Sequence, residues 1–414
     1  MVPEGWKLST FGKHVDILTG FAFKSSNYSS NPNDIRLLRG DNIEPGRLRW
    51  KNAKYWDLSE FQALDKFHLK EGDFVIAMDR TWISSGLKVA EVKASDLPCL
   101  LVQRVARIRA FPDFDQSLLK QYFSDNRFEK HVKSVQTATA VPHISPNDIR
   151  DFSFLLPPLK EQNKISKILF TWDKAIEITE SLILNSLRKK KSLMQKLLTG
   201  QNRLQGFSGE WKQYHLSEIS EIIISPVDKK SKAGEIPVEI CNYTDVYYND
   251  EITKSINFMK ATATSKEIER YTLEIDDVII TKDSEAPGDI AVSSLVSEEL
   301  NGIVCGYHLA IVRPNKSAVS GAFLNYLFAM PKIQYYFFTL ATGATRFGLS
   351  IGAISKAQFS LPTIAEQKRI ADLLSISDKE IKALRQKLSL LKKEKKALMQ
   401  QLLTGRRRVK VDAA

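Results

Sequence analysis

A shift of about 205 residues lays the second half of this 414-residue chain over the first, and that repeat constrains the fold more than any other feature. Trp6-Lys7 recurs as Trp211-Lys212. Residues 69–76 recur as 273–280, and each copy then carries an aspartate in a polar loop, Asp79 and Asp283. The stretch from Arg104 to Arg109 aligns with His308 to Arg313, and Leu155 to Gln162 with Ser360 to Gln367. Leu197 to Gly200 closes the first unit as Leu402 to Gly405 closes the second. Whatever the first half folds into, the second half folds into again.

The likeness is uneven. From Glu161 to Gly200 against Glu366 to Gly405, about sixteen of some forty positions are identical, whereas the preceding parts diverge. Each unit thus has a variable front of roughly 155 residues and a similar back of roughly 45, as expected if the backs meet one shared partner and the fronts different ones.

The backs read as two long helices. Prolines at 157, 158 and 362 stop the preceding strand, and no proline or internal glycine follows until Gly200 or Gly405. Forty residues at 1.5 Å span about 60 Å. Apolar positions recur with heptad spacing at Ile165, Leu169, Trp172, Ile176, Ile183, Leu193 and Leu197. In the second helix they are Ile370, Leu374, Ile381, Leu384, Leu388, Leu391, Leu398 and Leu402. That seam predicts a coiled coil for helix pairing and partner docking, and Lys190 and Lys395 interrupt it at matching places. A tandem repeat whose copies contact isologously has a pseudo-two-fold axis, so the helices are expected to be antiparallel with the fronts at opposite ends.

In the fronts, short alternating strands are expected at 35–39, 73–78 and 100–109, and at 236–240, 277–281 and 308–313. One or two helices are expected to follow in each half, over 116–134 and 320–337, giving an α+β (mixed α/β) domain in each half. The loops between carry hydrogen-bonding side chains: Lys24, Ser25, Arg39, Asn42, Arg80, Thr81, Thr139 and His143 in the first half. The second half offers Lys229, Lys230, Lys232, Tyr243, Lys282, Ser284, Thr345 and Arg346. Arg, Asn and Thr are the types that read base edges, and Lys and Ser suit phosphates.

Composition narrows the partner. Sixty Lys and Arg against 48 Asp and Glu leave a formal charge of +12, which asks for an acidic partner or a solubility reason. Much of the excess lies at 188–191, 392–396 and 406–408, on the helices and just past the second one. Two readers on a rigid two-fold rod suit duplex DNA. Cys99, Cys241 and Cys305 form neither a disulfide framework nor a zinc motif. The six histidines are scattered without metal spacing, so no metal is expected. No apolar run spans a membrane and no signal-like start is read, so a cytoplasmic chain is expected. Glycine-rich phosphate cradles are not encoded, and Glu91 and Lys93 downstream of Asp79 only faintly imitate a nuclease site, since Glu-x-Lys recurs elsewhere.

Over nearly its full length the chain resembles the specificity (S) subunit of type I restriction-modification systems. The resemblance rests on the Gly-Trp-Lys and Glu-Trp-Lys openings, the Leu-Pro-x-x-x-x-Glu-Gln-x-x-Ile segments (156–165, 361–370) and the Leu-Met-Gln-x-Leu-Leu-Thr-Gly endings (193–200, 398–405). It implies two target-recognition domains, 1–156 and 201–361, with long helices at 157–200 and 362–405 and a basic tail at 406–414. Each domain would read one half of an interrupted DNA target, while the antiparallel helices set the spacer and dock two methyltransferase (M) subunits. Restriction (R) subunits would supply translocation and cleavage, so S-adenosylmethionine, ATP and Mg²⁺ belong to partners and this chain is a non-catalytic subunit. The loops 137–145 and 342–350 resemble a DNA-contacting segment of such families, although the first lacks its glycine-rich form. Four residues inserted in one helix are then expected to shift the spacer by about two base pairs. The competing readings are a single-chain DNA-modifying enzyme and a coiled-coil scaffold with no DNA role.

Overall fold

Alternation buries both faces of the central strands. In the computed structural model, which describes residues 2–60 and 62–411, Phe74 and Ile76 point into one cluster with Phe11, Tyr122, Phe128 and Phe154. The intervening Val75 and Ala77 point into another, with Leu38, Ile43 and Leu101. The second half repeats this: Val278 and Ile280 join one cluster and Ile279 another.

The chain divides into two compact units, one formed by the chain up to Glu180 with the stretch from Gln386 onward, the other by Ser181–Arg385. In the first, an antiparallel sheet orders Val89–Glu91, Phe74–Ala77, Val105–Ala110 and Val15–Thr19. A smaller sheet orders Cys99–Leu101, Ile35–Leu38 and Lys54–Trp56, its first pair parallel. The second unit matches both, with Ser293–Val296, Val278–Thr281, Leu309–Pro314 and Ser220–Ile224 in the larger sheet. Its larger sheet carries one extra strand, Glu251–Ile252. In each unit a two-stranded ribbon, Lys7–Thr10 with Ser153–Leu156 or Lys212–His215 with Gln358–Leu361, delivers the chain to its long helix.

One expectation is corrected. The stretch 100–109 is two strands in different sheets, because the chain turns at Arg104, whose φ is +67°. Of the one or two helices expected over 116–134, two form, Gln116–Phe123 and Asn126–Val135, the second started by the Asp125 side chain accepting from Arg127 N–H. Two also form over 320–337, Gly321–Phe328 and Pro331–Leu340, with Pro331 at the first turn of the second.

The long helices run Leu159–Leu197 and Ile364–Leu402. Matching Glu-Gln pairs anchor their starts. Gln162 donates to the carbonyls of Pro157 and Asp113 (2.9 and 3.2 Å) and accepts from Asp115 N–H. Gln367 does the same with Pro362, Ala318 and Ser320. Both helices take part in each unit, and there they run antiparallel. In the first unit Ile165 and Leu169 pack with Met399 and Leu402. In the second Leu197 packs with Ile370 and Leu374. These ends of the expected seam belong to the domain cores. Ile183 and Ile381 are buried, and Trp172, Ile176, Leu193, Leu384, Leu388, Leu391 and Leu398 are half-buried.

The interrupting lysines have partners on the facing helix. Lys395 Nζ meets Asp173 at 2.6 Å, and Lys190 meets Asp378. Gln121 completes the first site and the Tyr326 hydroxyl the second. Each pair accepts only one antiparallel register, the use for which polar seam positions are best attested. Burial acts to raise the Asp173 carboxyl, but Lys395, Gln121 and Lys120 outweigh it and hold it below the usual carboxylate value. Its contribution to stability is present above the unfolded carboxylate value and is lost as pH falls through the lower folded one. Lys395→Met, which strands this carboxylate, is expected to lower the urea stability of the first unit by about 1–3 kcal/mol at pH 7. A loss no larger for Lys395→Met than for an exposed lysine would remove the register role.

Among the described residues, no helix is long and apolar enough to cross a membrane.

Candidate nucleic-acid interface

Backbone pairing brings three loops of the first unit together. Met78 N–H donates to Arg104 O, Ile144 N–H to Met78 O and Arg80 N–H to Pro142 O, all at 2.7–2.9 Å. Asp79 pairs with His143 in an antiparallel bridge. Residues 79–81, Arg104 and 137–143 therefore share one surface. Lys88 lies half-buried where the loop at 39–42 reaches it: burial lowers its ammonium below the usual value, and Asp41, Arg80 and Asp79 all act on it. Arg80 and Arg104 hold left-handed φ values of +47° and +67°. Such strain in non-glycine residues persists only where neighbours over-determine it, and it concentrates at functional sites.

The polar loop side chains divide into two groups. Arg39, Arg80 and Thr139 are open to solvent to differing degrees, Arg39 pairing with Asp41 at 3.3 Å. His143 Nδ1 lies 3.0 Å from Thr137 Oγ1, and Thr139 donates to Val141 O, so these two shape the 137–143 loop. Asn42 and Thr81 are corrected. Asn42 is 5% exposed and spends its amide on Arg39 N–H and Arg49 O. Thr81 is 1% exposed and donates to Met78 O. Neither offers a free group to a ligand. Lys24 and Ser25 sit in an exposed turn beside Phe23 and Tyr28, which pack on the smaller sheet's cluster. Nothing among the described residues ties them to the 79–104–143 surface.

The second unit builds its surface at the matching place. Asp283 and Ser284 pair with Gly348 and Phe347, and Lys282 N–H donates to His308 O. His308 Nδ1 hydrogen-bonds Asp283, which also meets Lys282 Nζ at 3.0 Å and Arg346 Nε at 3.3 Å. Burial pushes the His308 imidazole below its usual value, with Asp283 opposing, so the ring is neutral at pH 7. Tyr243 stacks on Tyr247 at 5.5 Å and its hydroxyl ends 3.1 Å from Ser284 Oγ. Ser284 is 7% exposed and is spent there, a correction to its reading as a contact residue. Thr345 is exposed, and Lys229, Lys230 and Lys232 occupy an exposed loop whose base, Val227, accepts from Tyr307 N–H beside His308.

A different matched pair holds the helix starts. Arg203 grips the fully buried Glu366 with two hydrogen bonds of 2.7 and 2.6 Å. Arg408 grips Glu161 at 3.0 and 2.5 Å, and Trp6 Nε1 adds a third contact. Arg408, read as part of a basic tail, is thus bound into the first unit.

A family model described as the type I restriction modification DNA specificity domain matches residues 3–189 and again 208–393. The chain belongs to that family. It carries the specificity domain twice. It is 36% identical over 169 residues to the EcoAI specificity subunit of Escherichia coli, covering 40% of this chain and 28% of that one. Against the MjaVIII specificity subunit of Methanocaldococcus jannaschii it is 28% identical over 208 residues, 50% of this chain and 48% of the relative. These two matches thus span less than half of each relative. The EcoBI specificity subunit of E. coli matches more fully, at 22% identity over 91% of this chain and 81% of its own. In fold the chain is similar to the S subunit of a type I system from M. genitalium, with TM-score 0.60, 12% identity and coverage of 97% and 96%. A chain from work on assembly and conformational transition of the type I R-M system gives 0.57, 17%, 97% and 98%.

Within each specificity domain, the reading by polar residue type did not single out residues that organise these loops: Lys88, Arg104, Tyr247, Asp289 and His308. Tyr247 donates to Asp289 at 3.0 Å, which fixes the Tyr243–Tyr247 stack. The repeat held a signal for two of these centres, since Asp79 aligns with Asp283 and Arg104 with His308.

Proposed function

We propose that this chain is the DNA-recognition subunit of a type I restriction-modification complex, each specificity domain reading one half of a bipartite duplex target. One observation carries the reading: both domains gather loops at the same end of the two equivalent central strands, Phe74–Ala77 with Val105–Ala110 and Val278–Thr281 with Leu309–Pro314, and the gathered side chains differ. Same scaffold with different readers is what two unlike half-sites require. The continuous helices fix the spacer and dock two methyltransferase subunits, with restriction subunits joining them. Exposed Phe170, Ile178, Leu182, Leu184 and Leu187 on the first helix and Ile376 and Leu390 on the second support a protein partner there. In this reading the chain performs no chemical step. S-adenosylmethionine, ATP and Mg²⁺ are assigned to the partner subunits, and the cytoplasm follows from access to chromosomal DNA.

The purified chain is expected to retain target duplex with an affinity that falls steeply with salt, by about 10³–10⁵ between 50 and 200 mM if six to ten phosphates are contacted. A scaffold without a DNA role gives no salt-dependent retention. Cleavage or methylation by the chain alone, with cofactors supplied, would favour the single-chain enzyme.

A further inference from the structure

We propose that Arg346 reads a guanine in the half-site of the second specificity domain, held for that task by Asp283 and His308 as positioning residues. The inference rests on the DNA-recognition reading and names the base that this surface takes.

An arginine reads guanine by aiming two N–H groups at O6 and N7 along one edge. A free arginine loses rotamer freedom in doing so, so a guanidinium already braced on its remaining side binds more selectively. Arg346 has that arrangement. Its Nε is 3.3 Å from Asp283 Oδ1, and its Nη2 lies 3.1 and 3.3 Å from the two ring nitrogens of His308, which sets the guanidinium against the imidazole. Among the described residues its Nη1 has no partner. The Arg346 side chain is 55% exposed, whereas Asp283 and His308 are 15% and 19% exposed, so the braces are sunk and the reader projects.

The braces are themselves fixed. Asp283 is paired through its backbone with Gly348, and Tyr307 packs on His308 with ring centroids 3.6 Å apart. The loop that carries the arginine closes on itself through a Thr342–Gly348 bridge. Gly343, at φ +146°, is required for that closure, because a Cβ there would stand 1.9 Å from Arg346 O.

The first domain shows that this device is not a by-product of the fold. Asp79 stands where Asp283 does, but its arginine is Arg104, which occupies the place of His308 and lies 3.8 Å away. Its 137–143 loop brings threonines and a histidine and no arginine. The two domains therefore present differently placed guanidinium groups from equivalent aspartates, as unlike half-sites demand.

The test is selection of binding sites from randomised duplexes by the purified full-length chain, run for wild type, Arg346→Gln and Asp283→Asn. Wild type should yield a bipartite motif with a guanine in the half read by the second domain. Arg346→Gln should relax one guanine in that half by about 5- to 150-fold and leave the other half unchanged. Replacing that guanine with 7-deazaguanine should weaken wild type and leave Arg346→Gln unaffected. Asp283→Asn should blunt preference at the same base with an unchanged thermal melting curve, a readout that a purely structural role would not move. An unchanged motif in Arg346→Gln, or a uniform loss of affinity with a salt slope lower by about one, makes Arg346 a phosphate contact and overturns the proposal while DNA recognition stands. If wild type selects no motif, the recognition reading fails and this proposal with it.

Discussion

Replacing residues 1–156 with the front of another specificity domain is expected to change one half of the selected target and to leave the other half as it was. The expectation follows from the recurrence of one joint between each domain and its long helix. The helix start asks the front for two backbone groups and a ribbon: a carbonyl and an N–H for Gln162, and pairing of Lys7–Thr10 with Ser153–Leu156. The second domain meets the same request at Gln367 with Ala318 and Ser320, although its sequence has diverged. Those backbone demands are indifferent to side chains, and the rest of the joint asks the incoming front for an apolar cluster to receive Ile165 and Leu169 and an amide in the place of Gln121 for Asp173. The incoming front must bring the counterparts of Glu4 and Trp6, since Arg408 bonds Glu4 O and Glu161 takes the Trp6 indole. Each mismatched base pair costs about 1–3 kcal/mol. A half with three altered positions therefore loses on the order of 100-fold or more on the original duplex. Selected motifs in which both halves change, or neither does, contradict the assignment of one domain to one half.

The parts of this fold that were legible in the sequence are those set by local periodicity. A heptad repeat with no proline or internal glycine is a helix whatever surrounds it, and both long helices lie where it placed them. Lys190 and Lys395 were visible as breaks, but their partners Asp378 and Asp173 are 188 and 222 residues away and only folding pairs them. The same distance hid Arg203 and Arg408, although both sit three residues beyond a Thr-Gly stop and could have been matched through the repeat. The strand across 100–109 was misread because Arg104 turns the chain without a glycine or proline to announce it. In the loops the limit is different. Residue type shows that a side chain can hydrogen-bond and is silent on where the bond goes. Asn42, Thr81 and Ser284 have the chemistry of contact residues and spend it inside the protein, the first two within their own loops and Ser284 on Tyr243. Arg346 and Asp283 gain their meaning from each other, through a strand pairing that links positions more than sixty residues apart.

Lengthening both long helices by seven residues, after Leu184 and after Leu384, is expected to lengthen the preferred spacer by about three base pairs. Seven residues add about 10.5 Å, and three base pairs occupy about 10.2 Å of duplex. Seven also restores the heptad, so the faces that meet before the insertion meet after it. The insertion points leave Asp173 with Lys395 in one unit and Lys190 with Asp378 in the other. An insertion of four residues in a single helix, the simplest form of the experiment that the sequence suggests, asks for something the structure resists. The facing helix keeps its length, so one of the two lysine–aspartate pairs must break or the added turn must bulge. Four residues also rotate the apolar face by about 40° relative to the seam. The single insertion is therefore expected to lower stability and weaken binding without a clean change of spacer, whereas the double insertion should retain the melting behaviour of the parent. Selection on duplexes with spacers varied one base pair at a time distinguishes the two. A doubly lengthened chain that keeps the parental spacer would show that the helices join the recognition domains without measuring the distance between their half-sites.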